Sequence, residues 1–288
     1  MKLGKNYWTL LTSSSMSNLA DGIATVAMPL IAITLTREPV LIAGISVMMR
    51  LPWLILALPA GAWIDRMDRR KVMVAANAFR GSLLLLFSLM FVLSFANIWI
   101  FYAVAILWGV AELFYDTAAQ SLMPQLVAKE NLDKANSRLY SAEIATNNFI
   151  GPPLGGFFVG LGVVVGIATP GGVWLIAAGL LLLIKGSFKV EKAGPRETIA
   201  ADVKEGLRYL FSNKVLITLA LMTGISNFAN SAVGPLIVLF AVGPESVMQL
   251  NEVQFGLLII TGGVGSLIGS LVAPALIKLL GRQLTLAI

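Results

Sequence analysis

The sequence predicts an all-α polytopic membrane protein, with one complete six-helix bundle followed by the opening of a second. Three observations carry this expectation. Hydrophobic residues make up 57% of the chain and charged residues 12%, a balance outside that of soluble globular domains. Apolar runs at 10–35, 40–64, 72–95, 98–122, 139–163, 167–184, 215–242 and 255–280 are each of the length needed to cross a hydrocarbon core of about 30 Å at about 1.5 Å per residue. A pattern in the first run returns in the seventh. Ser17-Asn18-Leu19-Ala20-Asp21 reappears as Ser226-Asn227-Phe228-Ala229-Asn230, and Pro29-Leu30-Ile31 as Pro235-Leu236-Ile237, both at an offset of about 210 residues. Two matches in order at one spacing indicate a six-helix unit used twice.

In chain order, residues 1–12 do not form a cleavable signal. Lys2 and Lys5 precede an apolar run that continues to Leu35, too long for a signal core and without a small-residue cleavage site. It reads as a first spanning helix. The second and third runs are joined by Gly61-Ala62-Trp63-Ile64-Asp65-Arg66-Met67-Asp68-Arg69-Arg70-Lys71, a short loop of alternating acids and bases. The fifth and sixth runs are parted only by the glycine-rich stretch 160–172, which includes Pro170. The longest polar interruption, 185–214, reads as a linker. Within it Ile199, Val203, Leu207, Leu210 and Phe211 recur at helical spacing opposite Asp202, Lys204, Glu205 and Arg208, the pattern of an amphipathic helix lying on a membrane surface. The domain reading is therefore a transmembrane bundle at 1–190, a cytoplasmic linker with an amphipathic helix at 191–213, and an incomplete second bundle at 214–288. The second bundle holds helices 7 and 8 and the start of 9, so about eight of twelve helices are present. The chain is expected either to be a piece of a longer protein or to find a missing C-terminal half elsewhere.

Bases fix the orientation. They fall at Lys2 and Lys5, at Arg66 to Lys71, at Lys129, Lys134 and Arg138, between Lys185 and Lys214, and at Lys278 and Arg282; these are alternate loops, and the opposite loops hold only Arg37. The positive-inside rule places the N-terminus and the 61–71 loop in the cytoplasm, in a multi-pass cell membrane protein. The net charge of +6, from 21 bases and 15 acids, is a property of these loops and not of a nucleic-acid surface. With no cysteine and no histidine, disulfides, thiolate nucleophiles, conventional zinc sites and histidine relays are excluded, and no catalytic motif, metal or cofactor is implied.

Asp21, Glu112, Asp116 and Glu143 lie within the spans, as do Arg50 and Arg80. Charge at this depth costs a few kcal/mol unless paired or neutralised, roughly 2.5–3.5 kcal/mol on an insertion scale, so each is a functional candidate. Four acids against two bases leave up to two carboxylates without a basic partner, and such a group in a low dielectric can bind and release a proton. Asp21, replaced by Asn230 in the repeat, is the leading candidate for a proton or a substrate cation. Glu112 and Asp116, at i and i+4, must share a proton or a base such as Arg80. Asp116, about one turn from the end of its span, is within reach of Arg69 or Arg70. Gly151-Pro152-Pro153-Leu154-Gly155-Gly156 combines helix-kinking prolines with glycines that admit a neighbouring helix. The aromatic residues Trp53, Phe79, Phe114, Tyr115 and Phe149 are assigned no role.

The 61–71 loop closely resembles the signature between the second and third helices of the major facilitator superfamily. The 151–156 element resembles one in the fifth helix of that family's drug and proton antiporters. With Leu122 to Leu126 and Ala135-Asn136-Ser137-Arg138, the pattern resembles the branch of enterobactin exporters and macrolide efflux proteins. The resemblance implies the major facilitator fold and a secondary transporter exchanging a small amphipathic compound for protons by alternating access. It also implies a gating latch of Gly61, Asp65, Arg66, Asp68, Arg69 and Arg70 completed by Asp116, a helix-5 kink at Gly151, Pro152, Gly155 and Gly156, and the small molecule, protons and the lipid bilayer as partners. Many antiporters of the family carry an arginine in the fourth helix where Glu112 stands, so their relay does not transfer. A lysophospholipid flippase of the same fold stays open, as does a non-transporting membrane subunit.

Overall fold

The computed structural model describes residues 3–186, 188–189, 199–233, 236–265, 268 and 272. In order, these form α1 (Lys5–Leu35), α2 (Pro39–Ile64), α3 (Arg69–Val92), α4 (Ile98–Leu126), α5 (Leu132–Glu143), a π-helical stretch (Ile144–Ile150), α6 (Gly151–Leu161), α7 (Val163–Leu182), α8 (Ile199–Ser212), α9 (Lys214–Val233), α10 (Ile237–Ala241) and α11 (Glu252–Gly265). Among the described residues, α1, α2, α3, α4 and α7 are each long and apolar enough to cross a membrane unbroken. Three of the eight expected spans depart from that form: the fifth is interrupted, the seventh is α9 followed by the short α10, and the eighth is described only as α11. The rest of the eighth run, the run at 284–288, Pro235, Lys278 and Arg282 lie outside the described residues.

The helix ends follow local chemistry. Pro39 opens α2, where a missing amide hydrogen costs nothing. The Asp68 carboxylate accepts from Lys71 N at the start of α3, and Asn97 accepts from Trp99 N and Ile100 N at the start of α4. The broken fifth span has a covalent cause. Pro152 and Pro153 have no N–H to give the carbonyls of Asn148 and Phe149. The Gly151 N–H reaches back five residues to Thr146 O, and the chain takes π geometry there. The break expected over 160–172 contracts to one residue, Gly162 at φ 146°, a backbone angle that favours glycine. Pro170 sits inside α7.

Helix α1 runs through the middle of the bundle, packed against α7, α6 and the π stretch, while α3 packs on α7 and α4, and α2 on α4. Glycines set the closest approaches. A methyl on Gly81 would lie 2.7 Å from Gly171 O, and one on Gly151 would lie 2.6 Å from Gly22 Cα, so α3 meets α7 and α6 meets α1 backbone to backbone. One apolar core, with Met28, Ile31, Phe87, Phe101, Trp108 and Trp174, fills the middle and far part of the bundle. A second, with Tyr7, Leu10, Ile64, Met73, Leu122 and Phe188, fills the end that carries the basic loops. Helix α8 meets α9 at 99°, with Asn213 capping α9 through Val215 N and Leu216 N. Leu207, Tyr209 and Phe211 of α8 are left exposed.

Candidate functional site

A polar stripe runs down α1, with Ser13, Ser17 and Asp21 at successive four-residue steps on one face. Opposite it, Asn77 and Arg80 share a face of α3. Arg80 is fully buried and donates to Asp21 Oδ1 at 3.0 Å, to Ser17 Oγ at 2.9 Å and to Asn77 Oδ1. Ser17 also donates to Asn77 Oδ1, at 3.2 Å. Two rings complete the surroundings. The Arg80 guanidinium carbon lies 4.9 Å from the Tyr115 ring centre on α4 and 4.7 Å from that of Trp174 on α7, within cation–π range. The Gly81–Gly171 approach makes this possible, since Trp174 lies three residues beyond Gly171 on the helix that the glycines draw in. Trp108 packs edge-on against Trp174 at 5.2 Å, and the Tyr115 hydroxyl meets Ser14 Oγ at 3.4 Å.

The other expected acids gather round this net. Glu112, Asp116 and Glu143 all act electrostatically on Asp21, and Asp116 feels Glu112, Arg80, Glu143 and Arg50. The structure thus brings together Asp21, Arg80, Glu112, Asp116, Glu143 and Arg50, of which Glu143 and Arg50 are solvent-accessible. Arg80 bonds to Asp21, not to Glu112. Asp116 departs from expectation as well. Among the described residues no hydrogen bond joins it to Arg69 or Arg70, because both arginines point to the chain leaving α7.

That chain is strapped to the 61–71 loop. Arg69 Nη1 donates to Phe188 O at 3.2 Å while its Nη2 pairs with Asp65 at 3.0 Å, and Arg70 donates to Ile184 O. Asp68 accepts from Phe188 N, and Asn6 both donates to Lys185 O and accepts from Lys185 N. Phe188 closes the strap by burying its ring in the basic-end core. Gly61 stands in open space one turn before Asp65. The loop, the start of α1 and the chain leaving α7 are therefore one hydrogen-bonded unit. Tyr7 adds the start of α5 to it by donating to Ala135 O.

The glycines of the 151–156 element divide their contacts. Gly151 and Gly155 seat on the backbone of Gly22 and Ile23 in α1, while Gly156 seats on the backbone of Glu252 in α11. Gly256 returns the contact: a methyl there would lie 2.6 Å from Pro152 O. The element is a junction between α1 and α11.

Sequence reasoning did not single out Asn77, Trp174, Phe188 or Asn6, and it left Tyr115 without a role. The α1 stripe and the Asn77/Arg80 pairing at i and i+3 were available as polar periodicity inside apolar runs. The rings over Arg80 had no such signal.

Comparisons with known proteins agree with this architecture. The family model for the Major Facilitator Superfamily matches residues 10–288. The multidrug efflux pump Tap of Mycolicibacterium fortuitum is 25% identical over 301 residues, covering 96% of this chain and 68% of its own. Macrolide efflux protein A of Streptococcus pyogenes is 22% identical over 270 residues, covering 90% of this chain and 65% of its own. The chain thus spans about two thirds of the length of these two relatives, and 52% of the Tap pump of Mycobacterium tuberculosis. Among solved structures, a bacterial homologue of the human lysosomal transporter Spinster superposes with a TM-score of 0.66 at 13% identity, over 94% of this chain and 62% of that one. This is a likeness of fold.

Proposed function

Because the chain belongs to the Major Facilitator Superfamily, we propose that it works as part of a proton-coupled exporter of a small amphipathic compound, with Asp21 as the coupling acid. One observation carries the reading: the Asp21–Arg80 ion pair, 3.0 Å long with side chains 17% and 0% exposed, inside the bundle. An ion pair removed from water is costly unless fully bonded. Here Arg80 is bonded three ways and covered by rings, whereas Asp21 keeps partial exposure and three further acids in its field. Arg80 is the fixed member of the pair and Asp21 the exchangeable one.

In this reading the six-helix bundle at 1–190 rocks against the second bundle that opens at 214, with 191–213 as the linker between them. The N-terminus and the basic end face the cytoplasm of a bacterial cell, and the 61–71 loop is the latch. Loss of a proton from Asp21 strengthens its hold on Arg80, and binding of a proton weakens it, so the two access states differ in the charge that α1 presents to α3. The relatives' names, multidrug efflux pump and macrolide efflux protein, support an amphipathic drug-like substrate. The test is Asp21→Asn in the full-length protein reconstituted into proteoliposomes. Export driven by an imposed pH gradient is expected to be lost while substrate binding survives. Gradient-driven export at the wild-type rate overturns the assignment.

A further inference from the structure

We propose that Tyr115 and Trp174 are positioning residues: they hold Arg80 on Asp21 and away from Glu112 and Asp116, and so select which acid carries the exchangeable charge. This rests on the reading of Asp21 given above. It goes beyond that reading by naming the groups that make Asp21, rather than its neighbours, the partner of this buried cation.

The need for a selector follows from the inventory of charge. Arg80 acts on both Asp21 of α1 and Asp116 of α4, and those two acids in turn lie in the field of Glu112 from α4, Glu143 from the end of α5 and, for Asp116, Arg50 from α2; the Tyr115 ring lies over the guanidinium, and α6 and α7 bring no charged residue. Two of these acids lie one turn apart on the same helix as Tyr115. An arginine with two carboxylates in its field, Asp21 and Asp116, has no unique partner by charge alone, since at low dielectric both attract it strongly. Yet Arg80 makes its side-chain bonds only within the α1/α3 layer, to Asp21, Ser17 and Asn77. Its Nε is buried and has no hydrogen-bond partner, so none of the carboxylates has been drawn in to satisfy even this open donor. What covers the guanidinium instead is aromatic: the Tyr115 ring of α4 lies over it at 4.9 Å and the Trp174 ring at 4.7 Å, and Trp174 is itself braced by Trp108 and fully buried. The rings attract the cation without neutralising it, so they can keep Arg80 in place whether Asp21 is charged or protonated. A carboxylate in their position would compete for the proton.

Removing a ring has a signed consequence. With Tyr115→Leu or Trp174→Leu the guanidinium loses one of the ring faces that hold it, it is free to shift from Asp21 toward Asp116, Asp21 shares its cation, and its proton is retained to more alkaline pH. The measurement is an infrared titration of the buried carboxyl C=O band in the purified full-length protein, with Asp21→Asn to identify the component that belongs to Asp21. The midpoint of that component is expected to move alkaline by about one pH unit in Trp174→Leu and in Tyr115→Leu. It is expected to stay in place in Trp174→Phe and in Tyr115→Phe, which keep a ring while changing its polar atom. Should Trp174→Leu not fold, Tyr115→Leu carries the test. An unchanged or acid-shifted midpoint in the folded leucine variants overturns the clamp, as does a band that Asp21→Asn leaves intact. The coupling role fails separately, if Asp21→Asn still exports on a pH gradient while the band behaves as expected.

Discussion

Two arginine–aspartate pairs in this molecule have the same length and different surroundings. Arg80–Asp21 and Arg69–Asp65 are both 3.0 Å. In the first, both partners lie on different helices and are 0% and 17% exposed; in the second, the residues are four apart and Asp65 is 56% exposed. The difference lies in what else each arginine holds. Arg80 holds side chains, two rings and a net of hydroxyl and amide groups. Arg69 holds backbone, the carbonyl of Phe188, as its neighbour Arg70 holds that of Ile184. A distance alone therefore says little about what a pair does. In the proposed mechanism the mid-bundle pair sets a charge state, whereas the basic-end pair helps fasten the chain that leaves α7.

The comparison breaks if the two arginines are equally dispensable. Arg80→Met leaves Asp21 buried without its partner and empties the space between Tyr115 and Trp174, and is expected to cost about 3–5 kcal/mol of stability, read as thermal unfolding in detergent. Adding Asp21→Asn should recover part of that loss, because the second substitution removes the uncompensated charge. A smaller effect is expected at the helix junctions. Gly151→Ala forces a methyl against Gly22 and should destabilise by roughly 1–3 kcal/mol. Gly172→Ala, with open space around it, should be neutral in the same assay.

Much of the fold was legible because the bilayer leaves few options. Apolar runs of spanning length have one economical explanation in a bilayer, the helix. The fifth span was legible only in part. Pro152 and Pro153 announced a kink, but the π-helical answer to two missing amide donors depends on where the freed carbonyls can go in the packed bundle. At the site, residue types were legible and partners were not. Asp21, Glu112, Asp116 and Arg80 stand out as charges in apolar runs, but spacing along one helix could not show that Arg80 reaches across to α1. Asp116 was read toward Arg69 and Arg70 because it is near them along the membrane normal; those arginines had closer acceptors in the carbonyls at 184 and 188, which no side-chain pattern announces. Trp174 was invisible for a different reason, since an aromatic in a spanning helix is ordinary until a cation is found beneath it.

The strap sharpens the other half of the comparison. Asp68 accepts from Lys71 N and from Phe188 N with its two oxygens, so Asp68→Asn keeps one acceptor and loses the other along with the charge. A loss of about 1 kcal/mol is expected, too small to unfold the bundle. Residues 184–188 should become easier to cleave with protease in inverted vesicles. Unchanged protection would mean that the strap is held by the Phe188 ring and the arginines alone.

The smallest effect on stability is expected at Asp65, and for that reason it is the most informative about the latch. Its carboxylate is mostly in solvent and pairs with an arginine that has a second, backbone acceptor. Exposed pairs of this kind contribute at most about 1 kcal/mol, and an asparagine amide oxygen could still accept from Arg69 as a neutral group. Asp65→Asn should therefore leave the melting temperature of the purified protein nearly unchanged. If the loop is a latch, its charge is needed when the basic end changes partners during transport, and substrate export in proteoliposomes should fall sharply in that well-folded variant. The two measurements together separate the possibilities: stable and inactive assigns Asp65 to gating, whereas stable and active reduces the loop to a topology signal with a strap attached. A variant that is both unstable and inactive would contradict the comparison itself, since it would show the exposed pair to matter structurally as much as the buried one.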